Sequence, residues 1–286
     1  MTQRLLPPST ILITGCSTGI GYHTAHTLKD LGYRVIASCR TAEDVSRLQT
    51  EGFECFELDL ASSQSIHLAL EQITEVTGGK IDALFNNGAF GLPGAVEDLS
   101  RDAMTYQFQT NVFGTQELTN KVMKLMRIQG HGKIIYNSSI LGFAAMQYRG
   151  AYNASKFAIE GFADTLRIEV KKDNIQVSLI EPGPIISDFR KNAFEQFNRW
   201  ITVEGSAHEK SYKAMVSRLE TVGPSAPFTL EPKAVSKCVV HALQAKQAKI
   251  RYRVTVPTVV FAYLKRLLPT TWLDKLLIKA GGDGKR

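Results

Sequence analysis

The sequence lacks a hydrophobic run long enough to span a membrane. The longest charge-free apolar stretch near the C-terminus covers residues 254–264 and contains Pro257. It falls well short of the roughly 20 residues that a spanning helix needs. The N-terminal residues show no apolar core before a cleavage site, so no secretory signal is expected. We therefore expect a protein that is neither transmembrane nor secreted.

Cysteine is also scarce. The four cysteines form no C-x-x-C pair, so neither a zinc site nor a disulfide framework is expected; they are Cys16, Cys39, Cys55 and Cys238. We predict no metal site. Free thiols of this kind are typical of a reducing compartment, and the expected location is cytoplasmic.

Most of the chain carries no excess of positive or negative charge. Residues 1–248 hold 25 basic and 25 acidic residues, whereas residues 249–286 hold 9 basic and 2 acidic ones, which accounts for the net charge of +7. A charge-balanced body argues against nucleic acid as a partner. With 286 residues, of which 44% are hydrophobic, the chain can bury a full core.

Short apolar runs alternate with segments of helical periodicity, such as residues 62–76. The alternation predicts an α/β fold, a single Rossmann-type doubly wound parallel sheet with helices on both faces. The predicted strands are residues 10–14, 34–39, 53–58, 81–85, 133–136, 175–180 and 252–256. Residues 187–232 break the alternation and are interpreted as an excursion from one domain that covers residues 1–286.

A glycine-rich loop, Thr14-Gly-Cys-Ser-Thr-Gly-Ile-Gly21, separates the first predicted strand from the first predicted helix. Such a loop allows a tight turn and brings free N–H groups at a helix N-terminus close to a pyrophosphate. It lacks the Gly-Lys-Ser/Thr ending of a P-loop, which argues against ATP or GTP. We predict a dinucleotide site here.

The residues after the second strand indicate which dinucleotide is bound. An Asp or Glu is expected there for a ribose 2′-hydroxyl, but the sequence reads Ser38-Cys-Arg-Thr41. The guanidinium of Arg40 can hold a 2′-phosphate through forked hydrogen bonds. The absence of an acid and the presence of Arg40 favour NADP(H) over NAD(H).

Tyr152 is followed four residues later by Lys156, and on a helix the two side chains share one face. A nearby ammonium lowers the pKa of a phenol, so Tyr152 can exchange a proton with a carbonyl or alcohol oxygen. Ser139, at the end of the fifth strand, can hydrogen-bond the same oxygen. Asn111 lies in a helical stretch despite its poor helix propensity, which indicates a polar role.

With these motifs the chain resembles the short-chain dehydrogenase/reductase family from about Ser9 to Ser187. The glycine loop matches the family's T-G-x-x-x-G-x-G, and Asn86-Asn-Gly-Ala89 matches its Asn-Asn-Ala-Gly with the last two residues exchanged. The resemblance implies a catalytic tetrad with Tyr152 as acid/base, Ser139 orienting the substrate oxygen, Lys156 on the nicotinamide ribose and Asn111 supporting a water-linked relay. Residues 149–152, 180–184 and 251–252 resemble the hydroxysteroid and retinol dehydrogenase-like branch, and a bacterial NADP-dependent aldehyde reductase within it.

The same resemblance implies that Asp59 contacts the adenine and that Pro182, Gly183 and Ser187 hold the nicotinamide end. Together with the glycine loop and its neighbours, the expected cofactor-binding residues are Gly15, Ser17, Thr18, Gly19, Ile20, Gly21, Arg40, Asp59, Leu60, Asn87, Gly88, Tyr152, Lys156, Pro182, Gly183, Ile185 and Ser187.

Two apolar segments leave alternatives open. The excursion carries Phe189, Phe194, Phe197, Trp200, Ile201 and Met215, which either cover a lipophilic substrate or pack a helix on the body. The basic amphipathic tail, residues 258–286, either docks on the body or on a partner subunit, or lies on an anionic bilayer at the inner face of the membrane.

We therefore expect an NADP(H)-dependent oxidoreductase that acts on a lipophilic carbonyl or alcohol, such as an aldehyde, a ketone, or a steroid- or retinoid-like compound. The alternative is a catalytically idle NADP(H)-binding sensor or scaffold. The family resemblance implies a homodimer or homotetramer formed through the helices that begin near Asp102 and Tyr152.

Overall fold

The computed structural model describes residues 4–220 and 226–282, with the backbone alone for 218–220. Seven parallel strands form one sheet in the order β3-β2-β1-β4-β5-β6-β7. The strands are β1 Thr10–Ile13, β2 Arg34–Cys39, β3 Glu54–Glu57, β4 Ala83–Asn86, β5 Gly132–Asn137, β6 Ile175–Glu181 and β7 Arg251–Arg253. The predicted doubly wound parallel sheet is thereby confirmed.

Helices connect and cover the strands. In the described part of the chain they are α1 Gly19–Asp30, α2 Ala42–Thr50, α3 Ser63–Thr77, α4 Arg101–Phe108, α5 Thr115–Gln129, α6 Gly150–Glu169, α7 Phe189–Trp200, α8 Glu209–Glu220, α9 Lys233–Gln244, α10 Val256–Leu267 and α11 Thr270–Ala280. Local signals set several boundaries. Ser62 accepts a hydrogen bond from Ser65 N at the start of α3, and Gly78 ends that helix in the left-handed region.

The two faces of the sheet carry separate apolar cores. Ile11 and Ile13 of β1 belong to the core that α1, α2 and α9 cover, whereas Leu12 belongs to the core that α3, α5 and α6 cover. This division follows from the alternation of side chains along a strand. Apolar residues on both sides of each central strand explain why the strands are continuous hydrophobic runs.

The seventh strand differs from the prediction. It spans Arg251–Arg253 instead of residues 252–256, because Thr255 is already the N-cap of α10 and Pro257 occupies the first turn of that helix. A proline fits there because the first turn of a helix does not use its N–H groups. The excursion 187–232 contains α7 and α8, and its residues 221–225 lie outside the described residues.

Helix α4 passes into α5 through a π-helical segment, Gln109–Gly114. A Cβ built on Gly114 would lie 1.7 Å from the carbonyl oxygen of Leu60, so only glycine allows this close backbone approach. The π-helical segment also contains Asn111. The contact between Gly114 and Leu60 holds this segment against the loop that follows β3.

Gly114→Ala is therefore expected to destabilise the protein by about 2 kcal/mol or more, because backbone atoms must move to admit the methyl group. The matched control is Gly161→Ala in α6, where a Cβ meets nothing within 4 Å. That control should gain about 0.5–1 kcal/mol, since alanine is the better helix former. Urea unfolding of both variants measures the difference. Equal stability of Gly114→Ala and the wild type would contradict the assigned contact.

Candidate active site

The candidate site lies where the carboxyl ends of the parallel strands meet. The glycine loop follows β1, Asn87 follows β4, Ser139 follows β5 and Pro182 follows β6, while α6 brings Tyr152 and Lys156 to the same edge. This edge is where ligands bind in open α/β sheets. Ile140 N donates to the carbonyl oxygen of Pro182 at 2.8 Å, which joins the segments after β5 and β6.

The glycine loop has the conformation that its sequence predicts. Gly15 and Gly19 have φ angles of +69° and +60°. A Cβ on Gly21 would lie 2.1 Å from the carbonyl oxygen of Gly15, so the first turn of α1 packs directly on the loop. Thr18, the N-cap of α1, makes no side-chain cap hydrogen bond, and the first turn holds no acid. The helix therefore presents backbone N–H groups and a positive dipole end to an anion.

Asn87 joins the ends of three strands. Its Nδ2 donates to the carbonyl oxygens of Thr14 at 2.9 Å and Gly15 at 3.1 Å, and its Oδ1 accepts from Asn137 Nδ2 at 2.9 Å. The Thr14 hydroxyl accepts from the backbone N–H groups of Asn87 and Gly88. Ala89 is not among the residues with positive φ. The exchange of Gly88 and Ala89 relative to the family motif therefore costs no backbone strain.

The other predicted cofactor residues surround the loop. Arg40 is exposed directly after β2, and Asp59 is partly buried after β3 with its Oδ1 accepting from Ala61 N. Ser187 lies against the loop, since a Cβ on Gly19 would approach its Cβ to 3.0 Å. Sequence reasoning did not identify Arg47, whose guanidinium donates to the carbonyl oxygen of Ser17 at 2.7 Å. Arg47 lies on α2, the helix that begins directly after Arg40, and this position could have identified it.

Tyr152, Ser139 and Lys156 lie close together in the structure. The Ser139 hydroxyl faces the Tyr152 hydroxyl closely enough to lower its pKa, and Ser139 Oγ accepts a hydrogen bond from Leu141 N at 3.1 Å. The Lys156 ammonium lies 5.7 Å from the Tyr152 ring centroid and donates to the carbonyl oxygen of Asn137 at 2.7 Å. All three side chains are buried.

Burial controls the titration of these groups. It raises the pKa of Tyr152 to about 12, against the opposing effects of the Ser139 hydrogen bond and the Arg149 charge. It lowers the pKa of Lys156 to about 8, against the opposing charge of Glu160. We predicted from the sequence that the ammonium lowers the pKa of the phenol. In the structure burial is the larger effect, and it moves the pKa of Tyr152 further above neutral pH.

A buried network of charges lies behind Lys156. Glu160, one helical turn further along α6, accepts from Arg251 at 2.9 Å, and Arg251 also pairs with Glu181 at 2.9 Å. Burial raises the pKa of Glu160, and it raises that of Glu181 to about 7. Sequence reasoning did not assign Glu160. Its position four residues after Lys156 on the same helix face was the signal that could have found it.

Asn111 is buried in the π-helical segment and makes structural contacts. Its Oδ1 accepts from Phe90 N at 3.1 Å, and its Nδ2 donates to Phe90 O at 2.9 Å and to Ser155 Oγ at 3.1 Å. π-Helical turns often occur at functional sites. The side chain of Asn111 thus positions the loop after β4 against α6. The water-linked relay stays a prediction.

Apolar side chains cover Tyr152 from two directions. The Phe189 ring lies 5.3 Å from the Tyr152 ring, edge to face, and Leu273 and Leu277 of α11 share a buried cluster with Tyr152. The other aromatics of the excursion have a different environment. Phe194, Phe197, Trp200, Ile201 and Met215 pack in a separate cluster with residues of α4 and the loop after β4.

The chain belongs to the short-chain dehydrogenase family, since a sequence profile of the family, described as short chain dehydrogenase, matches residues 9–198. The oxidoreductase YbbO of Escherichia coli K12 is 39% identical over 97% of this chain and 96% of its own. Bovine retinol dehydrogenase 8 is 37% identical over 66% of this chain and 63% of its own, in agreement with the retinol dehydrogenase-like branch. A 3-ketodihydrosphingosine reductase of Bacteroides thetaiotaomicron is 30% identical over 95% and 97%.

Solved structures share the fold at low sequence identity. A short-chain dehydrogenase/reductase of Burkholderia phymatum in complex with NAD has a TM-score of 0.77, with 20% identity over 93% of this chain and 94% of the other. A short-chain dehydrogenase of Burkholderia cenocepacia in complex with NADP has a TM-score of 0.73, with 19% identity over 94% and 97%.

Ultraviolet titration tests whether burial or the ammonium controls Tyr152. Because the pKa of Tyr152 is raised to about 12, the wild type minus Tyr152→Phe difference spectrum should show no phenolate absorbance near 295 nm between pH 8 and 10. Circular dichroism at each pH verifies that the fold persists. A phenolate signal that develops below pH 9 would mean that the Lys156 charge outweighs burial.

Proposed function

We propose that this protein is an NADP(H)-dependent oxidoreductase that interconverts a lipophilic carbonyl compound and its alcohol, with Tyr152 as the acid/base. One observation supports this most strongly. A buried Tyr152, beside Ser139 and with the Lys156 ammonium 5.7 Å from its ring centroid, lies at the strand edge that also carries the glycine loop. Binding a nucleotide alone would not need a buried acid/base group.

The residues at this edge fit a nicotinamide dinucleotide. The close backbone approach at Gly15 and Gly21 and the uncapped N-terminus of α1 suit a pyrophosphate. The buried Oδ1 atom of the Asn137 side chain accepts no hydrogen bond from any described residue. It therefore leaves a hydrogen-bond acceptor on this edge. Arg40 is exposed directly after β2, where a 2′-phosphate is expected. The neighbouring Arg47 donates to the carbonyl oxygen of Ser17 and pairs with Asp44 and Glu51.

When bound, the cofactor supplies the hydride for carbonyl reduction. Tyr152 donates its phenolic proton to the carbonyl oxygen, and Ser139 donates a hydrogen bond to the same oxygen. Lys156 stabilises the phenolate that results, because its ammonium lies on the same face of α6. Phe189, Leu273 and Leu277 exclude water from the reacting atoms. In the alcohol-oxidising direction the same groups act in reverse.

The apolar residues around Tyr152 indicate the class of substrate. The surroundings of Tyr152 are apolar, with Ile140, Leu141, Leu273 and Leu277 in one cluster, so a lipophilic aldehyde, ketone or alcohol fits better than a sugar. The names of two relatives, a retinol dehydrogenase and a 3-ketodihydrosphingosine reductase, refer to compounds with long apolar parts. The excursion 187–232 is proposed to cover the substrate through Phe189, with Leu273 and Leu277 of α11 beside it. Residues 221–225 and 283–286 lie outside the described residues.

We propose a homo-oligomer formed through α4, α5 and α6. Phe113 and Phe162 are exposed and line one groove with Val112, and Phe157 is exposed on α6. Exposed aromatic residues grouped on one surface are typical of subunit interfaces.

Tyr152→Phe separates an enzyme from an idle NADP(H)-binding sensor or scaffold. The variant should bind NADPH with unchanged affinity and reduce decanal at least about 100-fold more slowly, because only the acid/base group is removed. NADPH fluorescence measures binding, and its oxidation at 340 nm measures turnover. Unchanged turnover in the variant would contradict the role of Tyr152.

Across aldehydes of increasing chain length, the catalytic efficiency of the wild type should rise.

Arg40→Ala tests the choice of cofactor. Removing the guanidinium should weaken NADPH binding roughly tenfold or more and leave NADH binding nearly unchanged, because only NADPH carries a 2′-phosphate. Titration of each variant with both cofactors measures this, and NADH serves as the internal control. Arg47→Ala provides the comparison with the neighbouring guanidinium. Equal loss of both cofactors in Arg40→Ala would assign Arg40 a structural role.

A further inference from the structure

Helices α10 and α11 form the C-terminal tail, and their inner side is docked on the body. Leu273 and Leu277 are buried in the cluster with Tyr152, and Lys265 donates to the carbonyl oxygen of Phe143 at 2.5 Å. Docking on the body, which the sequence left open, thus describes one side of the tail. The other side faces solvent.

The outer face of α10 is apolar. Val256, Val260, Tyr263 and Leu267 follow one another at intervals of four, three and four residues, so they form one stripe along the helix. All four are exposed, Tyr263 to 56% and Leu267 to 76%. A helix of a water-exposed surface normally has the reverse pattern, with polar residues outward.

The outer face of α11 joins apolar and basic residues. Trp272, 61% exposed, and Leu276 lie on one side of the helix together with Lys275 and Lys279. Arg266 is exposed at the end of α10 beside the apolar stripe. None of these three basic residues is paired with a carboxylate in the part of the chain that the structure describes. The entire net charge of the chain lies in residues 249–286.

The combination of exposed apolar and basic residues indicates which kind of partner this face binds. Two copies meeting through it would bring basic residues against basic residues, with Asp274 as the one acid among the described residues of α10 and α11. Protein interfaces are also depleted of lysine at their centre. Trp and Tyr beside Lys and Arg are, by contrast, the composition of helices that lie in the headgroup region of anionic membranes.

We propose that the outer face of α10 and α11 docks on the surface of an anionic lipid bilayer. The apolar stripe and Trp272 enter the headgroup region, and Arg266, Lys275 and Lys279 contact lipid phosphates. None of the described helices is both long and apolar enough to cross a membrane. Because the inner side of the same helices covers Tyr152, docking brings the candidate active site to the bilayer surface, a consequence that rests on the proposed function.

Sedimentation of the full-length protein with vesicles tests this. Vesicles of phosphatidylcholine alone are compared with vesicles that contain one quarter phosphatidylglycerol, and we expect binding to the second only. Lys275→Glu/Lys279→Glu should weaken that binding at least about tenfold. The matched control is Lys171→Glu/Lys172→Glu, which changes net charge equally at exposed positions after α6 and should bind as the wild type does. Thermal unfolding verifies that both variants fold.

Tryptophan emission gives a second readout that does not depend on net charge. The wild type minus Trp272→Phe difference spectrum reports Trp272, and its emission should shift to shorter wavelength on anionic vesicles. The proposal is wrong if no binding occurs, if both charge variants lose binding equally, or if Trp272 emission does not move. It is also wrong if sedimentation velocity shows that Lys275→Glu/Lys279→Glu alters the oligomeric state, since the face would then be a subunit contact.

Discussion

A continuous path of hydrogen bonds at the carboxyl edge of the sheet is the constraint on which the site depends. Asn87 Nδ2 donates hydrogen bonds to the carbonyl oxygens of Thr14 and Gly15. Asn87 Oδ1 accepts a hydrogen bond from the Asn137 side chain, and the carbonyl oxygen of Asn137 accepts one from Lys156. The path runs from the glycine loop after β1 to the lysine on α6. Since each step joins a different strand or helix, the distance between the glycine loop and the Tyr152–Lys156 pair is set by the backbone of the sheet.

Burial controls the pKa of Tyr152. The apolar side chains of Phe189, Leu273 and Leu277 pack around the ring, and burial raises the pKa of the phenol further above neutral pH. The same burial lowers the pKa of Lys156, which the charge of Glu160 opposes. Glu160 is in turn held by Arg251 from the edge strand β7. The ammonium beside Tyr152 therefore depends on a charge network that extends to the far end of the sheet.

Regular patterns made the sheet and the centre of the site predictable. Continuous apolar strands, the glycine loop and the four-residue spacing of Tyr152 and Lys156 are local signals that tertiary packing preserves. The boundaries of β7, the direction of the Tyr152 pKa shift and the role of Glu160 were not predictable in this way. Each depends on contacts between distant segments: Thr255 starting α10, α11 burying Tyr152, and Arg251 reaching α6.

In the proposed reaction, hydride passes directly between a nicotinamide and a lipophilic carbonyl carbon at this edge. NADPH labelled with deuterium at the transferring position of C4, incubated with the protein and a series of long-chain aldehydes, tests this most directly. Mass spectrometry of the product alcohols should locate one deuterium on the former carbonyl carbon. Retention of all deuterium in NADPH that the protein demonstrably binds, across the whole aldehyde series, would contradict the account.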